Sequence, residues 1–207
     1  MQELILVRHG QSVHHVQGLT GGWTNTPLTE LGRQQAQLTG QELKKLLPNS
    51  SVAFYSSDLE RALQTAQIIG SIIGISPIAV EALRELHWGI AVDMTLDEAR
   101  KLEQKRTEPL LDWVPFPEAE SWRMLHERIT PFLEKLDRME LGTVLIVSHG
   151  NAIEECIFWW LEFPLELRRK LSFMVDPCSI THLCTNDWQQ KVLAFTNRVN
   201  HLQSLSS

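Results

Sequence analysis

Cysteine is scarce: the 207 residues carry three, at positions 156, 178 and 184. An odd number without C-x-x-C spacing gives neither a disulfide framework nor a zinc ribbon, and it fits a reducing cytosol. Positive charge is in deficit as well, with 19 Lys and Arg against 25 Asp and Glu and a formal net charge of −6. That balance excludes a general nucleic-acid or membrane-surface binder, so any anionic ligand has to be held by a local cluster of Arg, Lys and His. No apolar run approaches the roughly 18 residues of a membrane span, and internal repeats and low-complexity segments are missing. The expected protein is soluble and cytoplasmic. Tyrosine occurs once, against seven tryptophans. Disorder is expected only in the Ser-rich tail, Gln203 to Ser207.

What is present alternates between two periods. Leu4 to Val7, Val52 to Tyr55, Ile78 to Val80 and Thr143 to Val147 are short apolar runs that read as buried strands. Between them lie helical stripes: Ala36, Gly40, Leu43 and Leu47; then Leu59, Leu63, Ala66, Gly70 and Ile73; then Trp122, Leu125, Ile129, Phe132 and Leu136. Alternating strand and helix imply a three-layer α/β/α domain with a mostly parallel sheet, whose ligands bind beyond the carboxyl ends of the strands. Capping boxes are expected at Ser57-x-x-Glu60 and Thr95-x-x-Glu98, and turns at Asn49-Ser50-Ser51 and Gly74 to Pro77. The length suits a single domain over 1–207, with a small lid-like insertion at about 88–120, where the pattern loosens around Pro109, Pro115 and Pro117.

Two of the strands end on the same signature. Leu6-Val7-Arg8-His9-Gly10 and Ile146-Val147-Ser148-His149-Gly150 each deliver a histidine at a strand end, with a glycine that lets a phosphate approach the backbone. A helix starting at Gly150 adds free amides and a positive dipole end. Tyr55-Ser56-Ser57-Asp58-Leu59-Glu60-Arg61 places Arg61 in an opening helical turn, where a guanidinium can hold phosphoryl oxygens by two parallel hydrogen bonds.

Together with Thr26-Pro27-Leu28-Thr29-Glu30-Leu31-Gly32-Arg33-Gln34-Gln35-Ala36, Gln64-Thr65-Ala66 and Leu83-Arg84-Glu85, these segments resemble the phosphoglycerate-mutase-like branch of the histidine phosphatase superfamily. The resemblance runs over nearly the whole chain, in the family's order and spacing. It implies a phosphatase without cofactor or metal, acting on a small-molecule phosphate ester. His9 would be the nucleophile, Arg8, Arg61 and a protonated His149 the phosphoryl ligands, and Glu85 the proton carrier; His15, Gly21, Gly22, Gly150 and Asn151 would bind substrate.

The chain also departs from the family. His15 stands where Asn is common, six positions after the nucleophile. It either donates to phosphate, more strongly when protonated and with an acid-shifted activity profile, or points away. Gly-x-Trp-Glu-Gly reads Gly89-Ile90-Ala91-Val92-Asp93, Gly-Gly-Glu-Ser reads Glu118-Ala119-Glu120-Ser121, and Pro177 replaces an Asn. Trp23, Trp88 and Trp113 are candidates for a substrate wall, with burial the alternative, and Arg84, Arg123 and Lys101 for contacts to a charged substrate, with a solvated face the alternative. Cys156 to Leu161 is an apolar helix segment that could bury against a second copy. Three rival functions stay open: a cofactor-dependent phosphoglycerate mutase, a phosphoryl-binding protein without turnover, and a metallohydrolase using His9, His14 and His15. The last lacks any H-E-x-x-H-type signature.

Overall fold

In the computed structural model, which describes residues 1–47 and 51–205, six strands form one sheet in the order β3-β2-β4-β1-β5-β6. They are β1 (Glu3–Arg8), β2 (Val52–Ser57), β3 (Ile78–Val80), β4 (Thr143–Ser148), β5 (Ile180–Thr185) and β6 (Lys191–Arg198). The helices are α1 (Val13–Gln17), α2 (Glu30–Leu46), α3 (Glu60–Ile73), α4 (Leu96–Leu102), α5 (Trp122–Arg138) and α6 (Gly150–Trp160).

The central strands are continuous apolar runs because both faces are covered. Leu4, Leu6, Val144 and Ile146 pack with Leu125, Ile129 and Leu133 of α5 and Ile153, Ile157 and Trp160 of α6. Their neighbours Ile5, Val7, Leu145 and Val147 point the other way, onto Leu43 of α2 and Ala62, Ala66 and Ile69 of α3. The expected three layers are present. The sheet is parallel from β3 through β2 and β4 to β1 and turns antiparallel at β5 and β6, two strands that the hydrophobic pattern did not announce. β5 carries Thr181 and His182 within its run, and β6 is a half-buried edge, so neither reads as an apolar core strand.

Several expectations need correction. The Thr95–Glu98 capping box forms, but Ser57 and Glu60 do not make one: Ser57 closes β2, Leu59 is the N-cap of α3, and the Glu60 carboxylate accepts from Gln64 Nε2 at 3.0 Å. In the segment Cys156 to Leu161, Cys156, Ile157, Phe158 and Trp160 are buried within their own chain, while Trp159 and Leu161 are half-buried. Gln203 to Leu205 close a 3-10 helix, Asn200–Leu205, where disorder was expected. His201 anchors that helix through Thr39 Oγ1 (3.0 Å) and the Cys178 carbonyl (3.2 Å). Ser206 and Ser207 lie outside the described residues, as do Asn49 and Ser50 of the expected turn.

Residues 88–120 hold α4, two 3-10 turns and a small apolar cluster of Ala91, Ala99, Phe116 and Ala119. A cavity of about 300 Å³ beside them is walled by Leu86, Trp88, Leu96, Trp113, Phe116 and Trp122, so Trp88 and Trp113 are half-buried and line a space at once. Asp93 (φ 63°) and Glu118 (φ 65°) occupy the left-handed region at two positions where the family pattern has glycine. Glu118 is exposed, so Glu118→Gly is expected to raise the unfolding free energy by up to about 1 kcal/mol by relieving the Cβ clash. A lower urea midpoint for the variant would contradict this.

Candidate active site

The register of the sheet assembles the site. Arg8 lies opposite Ser148 and Ser56 opposite Val147, so β1, β4 and β2 end at one level and His9, His149 and Ser57 meet beyond it. The His9 and His149 ring centroids are 5.0 Å apart. His9 is buried, and its bonding fixes its tautomer. Nδ1 sits 2.8 Å from the Gly10 carbonyl, which can only accept, so the proton is on Nδ1. Nε2 keeps its lone pair and receives the Arg61 Nε–H at 3.1 Å. Burial, then Arg61, His149 and Arg8, hold the His9 pKa well below its ordinary value. The ring is therefore neutral at physiological pH, with its lone pair on Nε2.

Arg61 is 1% exposed. Its Nη1 and Nη2 donate to the carbonyls of Thr24 and Gly22 (2.7 Å for Gly22), so the fork grips backbone on one side and His9 on the other. The two parallel bonds expected toward a ligand are replaced by this three-way anchorage. Burial lowers its pKa to about 10, which leaves it a cation at neutral pH. Gly22, with φ 62°, thus contributes its carbonyl to Arg61, and an added Cβ would stand 3.0 Å from the Trp88 nitrogen. Gly21 packs on His14, whose Nε2 would lie 3.0 Å from a Cβ there.

His149 is the N-cap of α6, with Nε2 2.8 Å from Ser57 Oγ. Burial, followed by Arg61 and Arg8, lowers its pKa well below 6.5, which favours the neutral imidazole. The charge of a phosphoryl group would act in the opposite sense. His149 Nδ1 and Arg8 Nε are buried polar atoms without a protein partner. Glu85 closes this side: its Oε2 accepts from the Asn151 amide at 3.3 Å, its Oε1 from Leu86 N at 2.8 Å, and a Cβ on Gly150 would stand 3.6 Å from Oε2. Asn151 therefore engages Glu85 through its backbone.

Arg8 donates through Nη1 to the Val175 carbonyl, and its Nη2 lies 3.3 Å from His15 Nε2. His15 stacks on His9 with centroids 5.4 Å apart, so it faces the site. Its Nδ1 lies 3.4 Å from both the Ser12 amide and Ser12 Oγ, so the ring is held between Ser12 and the Arg8 guanidinium. Burial and Arg8 lower the His15 pKa to about 4, and the charge of a phosphoryl group would act in the opposite sense. With the folded pKa below the unfolded 6.5, the unfolded chain binds more protons between these values. Stability is then fully present above pH 6.5 and falls as the pH drops toward 4. His15→Asn is expected to flatten that fall in denaturant titrations across the window; an unchanged slope would contradict it.

Some functional positions were not legible. A Cβ on Gly10 would meet the Gly32 carbonyl at 2.5 Å, and one on Gly32 the Gln11 carbonyl at 2.0 Å. Both glycines thus let α2 abut the loop of His9, and Gly10 serves packing rather than phosphate approach. Gln35 Oε1 and Thr65 Oγ1 fix the same loop by accepting the amides of Gln11 (2.8 Å) and Gly10 (3.1 Å). Ser57 was read as a cap, and Arg128 gave no sequence signal beyond its place on α5. Arg84 is paired with Asp58 and Glu81, Arg123 pairs with Asp112 at the surface, and Lys101 is exposed.

Comparison with known proteins agrees with this geometry. Residues 4–198 match the family model of the histidine phosphatase superfamily (branch 1). A probable phosphoglycerate mutase GpmB of Photorhabdus laumondii is 34% identical over 187 residues, covering 88% of this chain and 85% of that protein. The phosphoserine phosphatase of Entamoeba histolytica, solved with 3-phosphoglyceric acid, superposes with a TM-score of 0.79 at 29% identity, over 98% of this chain and 100% of that one. A mycobacterial glucosyl-3-phosphoglycerate phosphatase gives 0.81 at 26%, over 96% and 100%. The chain belongs to the histidine phosphatase superfamily.

Proposed function

We propose that the chain hydrolyses phosphate monoesters of small metabolites through a phosphohistidine on His9. The observation that carries this reading is the His9 tautomer: a neutral, buried ring with Nδ1 tied to the Gly10 carbonyl and Nε2 oriented by Arg61. Nε2 attacks phosphorus, the bond to the ester oxygen breaks, and the leaving oxygen takes a proton from the Glu85 carboxyl. Water then attacks phosphorus, gives its proton to the Glu85 carboxylate, and the P–N bond breaks to return His9. Arg8, Arg61, His15 and His149 stabilise the equatorial oxygens, supported by the amides at the start of α6. In this reading the chain is one domain whose residues 88–120 act as a lid over the leaving group, and it works in the cytosol.

The name of the 34% identical relative supports a second reading, return of the phosphoryl group to a phosphoglycerate. Hydrolysis is favoured because the further guanidiniums beside the Glu85 loop are committed to protein acceptors: all five protons of Arg128 are engaged, and Arg84 is paired with the carboxylates of Asp58 and Glu81. The test measures inorganic phosphate from p-nitrophenyl phosphate and a panel of metabolite esters with a strong chelator present. Release of phosphate supports hydrolysis, and transfer between phosphoglycerates without release supports the mutase.

A further inference from the structure

We propose that Arg128, paired with Glu120, is the positioning device that holds Glu85 at the reacting ester; this rests on the reading of Glu85 as proton carrier. The segment from Ala82 to Glu85 begins within a 3-10 turn (Glu81–Leu83) and belongs to no strand, so carbonyls along it take side-chain donors. Arg128, reaching from α5, supplies them. Nη1 donates to the carbonyls of Ala82 (2.9 Å) and Arg84 (3.0 Å), and Nη2 to that of Glu85 (3.1 Å). Nε and the other Nη2 proton form a two-pronged pair with Glu120, both at 2.7 Å. All five guanidinium protons have acceptors.

Glu120 closes the loop from the other end, since its Oε2 also accepts the His87 amide at 3.0 Å. Trp23 completes the arrangement. Its Nε1 donates to the Glu85 carbonyl at 2.7 Å, so both lone pairs of that oxygen are taken, and its ring lies between Arg84 at 4.7 Å and Arg128 at 5.7 Å. The Glu85 main chain is thereby fixed on one side and its carboxylate on the other, by the amides of Leu86 and Asn151. A lysine at 128 would bring three protons from a point charge to five acceptors and could not reproduce the set.

A misplaced acid is felt only where the leaving group needs a proton, and this gives a readout that general destabilisation would not move. The experiment compares kcat/KM, which reports the first phosphoryl transfer, for a simple alkyl phosphate and for p-nitrophenyl phosphate. The variants are Arg128→Lys, the milder Glu120→Gln, and Glu85→Gln as reference. For Arg128→Lys the alkyl ester is expected to lose about 100-fold while p-nitrophenyl phosphate loses about 3-fold or less, with Glu120→Gln changing in the same sense by about 10-fold. Equal losses on both esters, or none, in Arg128→Lys and Glu120→Gln while Glu85→Gln discriminates would overturn the positioning role alone. Failure of Glu85→Gln to discriminate would overturn the acid assignment and the positioning role with it.

Discussion

Replacement of His9 by alanine is expected to lower kcat/KM for phosphate monoesters by on the order of 10⁵-fold with the fold retained. The size follows from what is lost. Removing the ring deletes the atom proposed to bond to phosphorus, and the neighbouring imidazoles are tied elsewhere: His149 Nε2 bonds Ser57 Oγ, and His15 Nε2 faces the Arg8 guanidinium. The surviving donors would still bind phosphate, so the variant should keep affinity for an inhibitory anion while losing turnover. Circular dichroism and a phosphate-release assay check both halves. Residual turnover within about tenfold of wild type would remove His9 from the chemistry.

Arg61→Lys is the second large effect, and it acts on rate and stability together. The guanidinium joins three partners from different parts of the chain, namely His9 and the carbonyls of Gly22 and Thr24, all in a buried setting. An ammonium cannot span them, so a carbonyl is left without its donor and the nucleophile without its guide. The expected cost is about 2 kcal/mol or more of stability and about 10²- to 10³-fold in kcat, measured by denaturant unfolding and steady-state kinetics. A variant as stable and as active as wild type would show that the observed anchorage is incidental.

The layered fold could be read from apolar runs ending at His-Gly, because strands covered on both faces write themselves as uninterrupted hydrophobic sequence. β5 escaped because Thr181 and His182 interrupt its apolar run, and β6 because an edge strand is only half-buried and tolerates Lys. The histidines and Arg61 were legible as residues, yet the reason for each neighbour was not. Gly10 looked like room for phosphate and is room for Gly32; Ser57 looked like a helix cap and is the partner of His149. Such roles depend on which backbone arrives from elsewhere, information that spacing along one segment does not hold. Arg128 is the extreme case, an arginine on a helix face whose carbonyl acceptors lie more than forty residues upstream. The lowered pKa of His149 was hidden for a related reason: burial among guanidiniums is invisible in one dimension.

The most direct measurement is rapid alkaline quench of the protein during turnover of a phosphate monoester, followed by mass analysis of the peptide that spans Arg8 to Gly18. The account predicts one phosphoryl group on that peptide, located on His9, stable to alkali, lost in acid and missing in His9→Ala. A wild-type protein that turns substrate over without ever carrying this group, or that carries it on another residue, would contradict the account.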